Sequence, residues 1–522
     1  MLDETRAGRS RARPVSPADR APRALRLSLF FSVALAASWF AQGGAMNQNS
    51  RYDLTRAVVE EGTLRIDRYA DNTLYDRATF NGHTYSDKAP GLALAAAPVY
   101  AITRHLGPTS PPERSPDTFE LHLLTFFVIG LASAFASVAL FDLLVSLGFS
   151  HGASALSVIA WALGTNAAGY ATIFVSHQFV AALFIGSFVS AYRSREADEK
   201  RSRALLALSG FLASWAVVSE YPAAPLAALA MAYALWVAGL RKAWPFVAGA
   251  AVPALVLGGF NAACFGSPFR LGYTQLANDH FRGVIASGFM GLQAPRAKVL
   301  KHILFGEFRG LLPMSPFLVF AVPGAVTMLR DTAKRPYAIG CVAGFVYGLV
   351  LVSAYPLWHG GAGMGPRYLV QSLPFAVPLV AAGFSWAFSL PRAVRAAAST
   401  LAFAMVFAAV AICTMTVAVM PELPDIRRPG APVAGMVDPD MLHPLREFVI
   451  PLFVRGALSV KAALPGGRYG FATPTEHGLD AFNLGERMGL SGLASLAPLL
   501  VGWMIALVVA LRALTRERAQ RE

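Results

Sequence analysis

Residues 90–106 read PGLALAAAPVYAITRHL. Whether this apolar stretch crosses a membrane sets the side of every connector that follows it. It is short, it carries Pro90 and Pro98, and it ends in Arg104 and His105. A helical span needs about 20 apolar residues. Twelve other stretches meet that need: about 24–42, 119–147, 153–173, 177–193, 203–219, 221–240, 244–263, 313–330, 336–355, 368–390, 396–420 and 493–513. Helices are the spanning form expected, because backbone polar groups cannot go unpaired in lipid.

The composition agrees. Of 522 residues, 55% are hydrophobic and 15% are charged, against roughly 25% charged in an ordinary soluble domain. The mean hydropathy is +0.48. These values exclude a disordered chain, a secreted disulfide scaffold and an ordinary cytosolic enzyme. The three cysteines, Cys264, Cys341 and Cys413, have neither a disulfide framework nor metal-ligand spacing. They read as small hydrophobes.

The net charge of +14 is read through its placement. The short basic connectors 1–23, 193–203, 241–243, 330–335, 391–395 and 512–522 fall on one side if 90–106 does not cross. With the turn 148–152 they hold 22 of the 45 Lys and Arg in 64 residues. The opposite loops 43–118, 264–312, 356–367 and 421–492 hold another 22 in 209 residues. Cytoplasmic connectors are the basic ones, so both termini are expected in the cytoplasm. The positive balance is then topology, and nucleic acid is not expected as a partner. Segment 90–106 reads as a re-entrant or interfacial helix. The basic N-terminus reads as an uncleaved signal-anchor.

The expected fold class is an all-α polytopic membrane protein with about 12 transmembrane helices and periplasmic or extracellular loops. Residues 1–420 form the transmembrane bundle with its first outside loop, 43–118. Residues 421–492 form an outside loop region, and 493–522 the last span and a cytoplasmic tail. The loops are too short for a separate large core and should pack on the bundle as short helices.

The unusual polar residues cluster in those loops. Residues 47–91 read NQNSRYDLTRAVVEEGTLRIDRYADNTLYDRATFNGHTYSDKAPG. Residues 50–61 have helical spacing, with Ser50 as the expected cap and Gly62 as the stop. Asp53, Asp76 and Asp87 are the candidate bases here, with Asp76 expected in a polar turn facing water. Lys88 follows Asp87 where the chain meets the membrane surface, and such a charged pair costs desolvation. Residues 355–374 read YPLWHGGAGMGPRYLVQSLP. They offer His359, a glycine turn that lets backbone approach a ligand, and Arg367, whose fork suits phosphate. His177 and Glu220 at helix mouths and Arg309 in the second long loop fall on the same side.

The first loop resembles that of the GT-C superfamily of membrane glycosyltransferases, such as the lipid A aminoarabinose and protein O-mannosyl transferases. Ser50-Arg51-Tyr52 and Gly62-Thr63 occupy comparable places, and Tyr85-Ser86-Asp87-Lys88-Ala89-Pro90 resembles the family's Tyr-x-Glu-Lys-Pro motif. The resemblance covers about residues 24–106. It implies a GT-C-like bundle and a polyprenyl-phosphate-linked sugar as donor. It gives Lys88 contact with the carrier phosphate. It implies an active site facing the periplasm from the bacterial inner membrane. Gln48 and Asn49 stand where the family keeps its acidic pair, and neither can act as a base.

The chemistry needs a carboxylate to take the acceptor's proton and cations to meet the leaving phosphate. Asp53, Asp87 and Asp76 are the candidates for the first task; Lys88 and Arg367 for the second. Arg51, Tyr52, Tyr85, His177, Glu220, His359 and Arg309 are candidate substrate contacts. The acceptor would be an envelope lipid, glycan or protein, with membrane lipids around it. An in-line attack inverts the anomeric carbon. No cofactor and no metal motif is expected, although a divalent metal would be compatible. Two other readings stay open: a transporter or lipid flippase, and a non-catalytic assembly protein derived from the enzyme.

Reporter fusions test the topology. A fusion after residue 110 should report the outside and one after residue 150 the inside; a cytoplasmic signal at 110 would put 90–106 across the bilayer.

Overall fold

The computed structural model of the chain describes residues 22–107, 117–423, 441, 443–460 and 480–521. The basic stretch 1–21 and the loop segments 424–440 and 461–479 lie outside the described residues. The chain is an all-α polytopic membrane protein. Each of the twelve apolar stretches contains helix: α1 Arg23–Trp39, α4 Thr118–Ser146, α5 His151–Gly164, α6 Ser176–Arg193, α7 Glu199–Ser219, α8 Tyr221–Ala238, α9 Trp244–Phe265, α10 Pro316–Arg330, α11 Arg335–Ala354, α12 Arg367–Ser389, α13 Arg392–Val419 and α14 Gly492–Glu517. Among the described residues eight of these, α4, α7–α9 and α11–α14, are long and apolar enough to cross a membrane by themselves.

Two of the stretches are broken. The 153–173 stretch stops at Gly164 and resumes as Ala167–Tyr170. The 313–330 stretch is interrupted at Ser315, before Pro316. The breaks meet: the Ser315 hydroxyl donates to the Gly164 carbonyl, which ends its helix without an intrahelical partner, at 2.7 Å.

Two further helices lie in the first loop, α2 Met46–Arg56 and α3 Gly91–Thr103. At 1.5 Å per residue α3 is about 20 Å long, short of the roughly 30 Å hydrocarbon core. The chain also returns to where it started. Strand β1 (Phe40–Gln42) pairs antiparallel with β4 (Ala481–Asn483), and Gly43 donates to the Asp480 carbonyl. The Thr118 hydroxyl, at the start of α4, reaches that same carbonyl at 3.4 Å. Residues 43 and 118 therefore lie at one end of the bundle, as a non-crossing α3 requires.

The loop is not built of helices alone. Strands β2 (Arg77–Phe80) and β3 (His83–Ser86) form a hairpin closed by Asn81-Gly82, both with positive φ (51° and 80°). That pair is the strongest short hairpin signal a sequence carries. The main apolar core lies between α1, α4, α5, α10, α12 and α13. The last helix packs on the first, with the Trp503 indole donating to Ser32 O at 3.0 Å.

Candidate functional site

The site is built around α2, MNQNSRYDLTR. Every residue from Gln48 to Arg56 is buried, although most are polar. The helix starts at Met46, four residues before the expected cap, and continues through a wide turn at Ala57–Glu61 to a left-handed Gly62. Ser50 is therefore inside the helix. Its hydroxyl meets Ser86 Oγ at 2.9 Å and donates to Asp87 Oδ1 at 3.1 Å.

The hairpin register explains the next contacts. Arg77 pairs with Ser86, so Asp76 and Asp87 stand just beyond the paired ends. Lys88 Nζ bridges them, 2.8 Å from Asp87 Oδ2 and 3.2 Å from Asp76 Oδ2. Asp76 is thus ion-paired instead of lying free in a water-facing turn. Burial pushes the Asp87 carboxyl up, with Asp76 adding to it and Lys88 opposing. Burial alone would lower the Lys88 ammonium, but Asp76 and Asp87 outweigh it and hold the group above its ordinary value. Only two of the three ammonium protons are needed for these carboxylates.

A second group lies beside it. Arg51 Nη2 donates to Ser176 Oγ at 3.1 Å and is 3.6 Å from Glu220 Oε2. The Ser176 hydroxyl donates to Glu220. His177 has Nδ1 3.9 Å from the same carboxylate, and its ring stands edge-on to Tyr170 and Tyr368.

The glycine turn supplies the third group. Gly360 has φ 76°, and a Cβ there would lie 2.8 Å from Arg367 Nε, so only glycine lets this turn close on the guanidinium. The Gly361 carbonyl accepts from Arg309 Nη2 at 2.8 Å, and its N–H donates to His359 Nδ1 at 3.1 Å. Arg367 stacks on Tyr368 with 5.0 Å to the ring centroid and donates Nη2 to its hydroxyl at 3.2 Å. Arg367 Nε is buried without a hydrogen-bond partner. Among the described residues Arg367 makes no ion pair.

One residue was not anticipated from sequence. Glu422, just after α13, sends Oε2 to the Nε2 groups of Gln48 (2.9 Å) and Gln42 (3.2 Å). Its backbone N–H donates to Gln42 Oε1 at 3.0 Å, and the neighbouring Leu423 carbonyl accepts from Gly363 in the glycine turn at 2.7 Å. Burial pushes the Glu422 carboxyl up to about 7; Asp76 adds to this, while Arg367, Gln48 and Arg309 pull the other way. The only local hint in the sequence is an acid directly after a long apolar run.

The structure thus brings together Arg51, Asp76, Asp87, Lys88, His177, Glu220, Arg309, His359 and Arg367. Tyr52 and Tyr85 lie elsewhere. Tyr52 is edge-on to Tyr100 in one apolar cluster and Tyr85 packs on Phe265 in another. Asp53 is fully buried beside Asn72, whose amide donates to it at 3.4 Å. Burial raises its carboxyl well above the usual range, with Arg56 and Asn72 opposing. Among the described residues no three His, Cys, Asp or Glu converge as a metal site. An apolar cavity of about 330 Å³, lined in part by Leu147, Trp236 and Tyr337, sits at the opposite end of the bundle.

Lys88→Met should destabilise the fold by about 3 kcal/mol, since it leaves the buried Asp87 and the half-buried Asp76 without their cation. Asp87, already raised, loses the group that held it down. It is tolerated while protonated and costs more as it ionises, so the deficit should widen as pH rises above the ordinary carboxylate range. Thermal unfolding of both proteins across that rise in pH measures it; a deficit independent of pH would contradict the pairing.

No family model matches the chain, and no curated protein matches it. Among solved structures it is similar to the crystal structure of ArnT from Cupriavidus metallidurans bound to undecaprenyl phosphate, with a TM-score of 0.44, 12% identity and 76% of each chain covered.

Proposed function

We propose that this chain is a membrane glycosyltransferase of the GT-C type. It transfers a sugar from a polyprenyl-phosphate donor to an acceptor hydroxyl at the periplasmic face of the bacterial inner membrane. The observation that carries the reading is the convergence of Arg367, Arg309 and Lys88 with several carboxylates at one end of an apolar bundle. A phosphate on a lipid carrier presents its charge at that depth. Arg367 has an unpartnered Nε to offer it, and Lys88 a third N–H. The first-loop resemblance, through Tyr85-Ser86-Asp87-Lys88-Ala89-Pro90, points to the same donor class.

The reaction is a single displacement. The acceptor oxygen bonds the anomeric carbon, the carbon–phosphate oxygen bond breaks, and the phosphate leaves with the electron pair. The anomeric centre inverts. A guanidinium placed at the leaving oxygens stabilises charge that grows in the transition state, and a site sealed from water strengthens it. The reading invokes no cofactor. The acceptor is an envelope lipid, glycan or protein.

The test uses the full chain in lipid nanodiscs with a panel of labelled polyprenyl-phosphate sugars. Release of free polyprenyl phosphate from one of them is expected; a chain that consumes none is not a transferase, and the transporter and assembly readings then take its place. Arg367→Ala should lower turnover by about a hundredfold, or about 3 kcal/mol of barrier. Near-normal turnover at saturating donor would remove Arg367 from the mechanism.

A further inference from the structure

Five carboxylates lie on or around α2, and they are not equivalent. Asp76 and Asp87 share the Lys88 ammonium. Glu220 is paired with Arg51 and takes the Ser176 hydroxyl. Asp53 is sealed against Asn72 with no exposed surface. The first three are held by ion pairs, and Asp53, whose Oδ2 is buried without a partner, is closed to an incoming hydroxyl. Glu422 is different. Among the described residues it makes no ion pair, and it is held by amides alone.

The two amides act on one oxygen. Oε2 accepts from Gln48 and from Gln42, and the Gln42 carbonyl oxygen in turn takes the Glu422 backbone N–H. This clamp fixes the plane of the carboxylate. Oε1 accepts no hydrogen bond among the described residues, and it is not among the buried polar atoms that lack a partner. It is thus open to a ligand, although the residue as a whole is only 7% exposed. A carboxylate clamped through one oxygen and open at the other is arranged to receive a proton.

We propose that Glu422 is the general base of the transfer, taking the acceptor hydroxyl proton on Oε1. The inference rests on the transferase reading and deepens it. As the acceptor oxygen bonds the anomeric carbon, its proton passes to Glu422 and the phosphate departs toward Arg367. Glu422 then returns the proton to water. Gln48, one turn into α2, becomes a positioning residue: it orients the base that its own amide cannot replace.

The electrostatic setting suits the task. The charged and titratable groups acting on Glu422 are Arg367 on α12, Asp76 before β2, Arg309 in the second long loop and Tyr170 after α5. Burial and Asp76 raise the carboxyl, the two guanidiniums restrain it, and the balance leaves it near neutrality. A base near the working pH is the effective one.

The experiment compares wild type, Glu422→Gln, and Glu422→Gln combined with Gln48→Glu, in nanodiscs with the donor that the wild type consumes. Glu422→Gln should lower kcat by about a hundredfold or more with donor KM within about threefold. The wild-type kcat should fall with unit slope below about pH 7, and this limb should vanish in the residual activity of the variant. The double variant returns a carboxylate to the same hydrogen-bonded pair from the other side, and should recover at least about tenfold over Glu422→Gln. Wild-type turnover in Glu422→Gln, or an unchanged acidic limb, overturns the assignment of Glu422 while leaving the transferase in place. A wild type that consumes no donor overturns both.

Discussion

Helix α2 buries nine consecutive residues, Gln48 to Arg56, and most of them need hydrogen bonds. A polar group taken out of water without a partner costs several kcal/mol in the least forgiving settings. The surroundings of this helix are therefore dictated. Asn72 must turn its carbonyl to Asn49, Ser86 and Asp87 must meet Ser50, Ser176 must meet Arg51, and Glu422 must meet Gln48. Those partners come from the hairpin, from the start of α6 and from the end of α13. Pairing these groups of one polar helix brings distant segments of the chain to one end of the bundle, although Gln48 Oε1, Arg51 Nε, the Tyr52 hydroxyl and Asp53 Oδ2 stay buried without partners.

The charges within that end are balanced with little to spare. Lys88 is shared by two carboxylates, and Arg51 is taken by Glu220. Ion pairs at this depth are weak contributors to stability, because desolvation offsets most of the attraction. Their value lies in fixing geometry. What they leave over is Arg367, stacked on Tyr368 with an unpartnered Nε, and Glu422, held by amides. A site that neutralised every charge internally would have nothing to offer an anionic lipid or a hydroxyl.

The bundle was legible in the sequence because apolarity is local. All twelve apolar stretches contain helix; the side of each connector is an expectation that rests on the Lys and Arg count. The hairpin departs from the short helices expected of the loops, although Asn81-Gly82 encodes its turn locally. The loop's polar contacts were harder. Ser50 has the chemistry of a cap, yet the helix starts earlier because Gln48 and Asn49 find partners off the helix. Asp76 sits in a turn by sequence, and only the pairing of Arg77 with Ser86 shows that it faces Lys88. Tyr52 and Tyr85 lie in a motif-like context but serve the core. Glu422 was out of reach: it is 374 positions from the amide it meets, and no local pattern encodes that contact.

The pairing of β1 with β4 joins residue 40 to residue 483, and α14 covers α1. The first helix made thus waits for the last. Bacterial and other ribosomes extend chains at about 5–20 residues per second, so α1 and the strand after it stand in the bilayer for roughly tens of seconds before their partners exist. During that interval β1, with Gln42 at its end, is an unpaired strand edge, the kind of edge that invites wrong pairing. Glu422 is made earlier than β4, so its contact with Gln42 forms on a strand that is not yet anchored. In the order of synthesis β1 can close only once residues 481–483 exist, and α1 is covered later still by α14. A chain that stops short of β4 would keep most of its apolar bundle and lose the clasp that steadies its polar end.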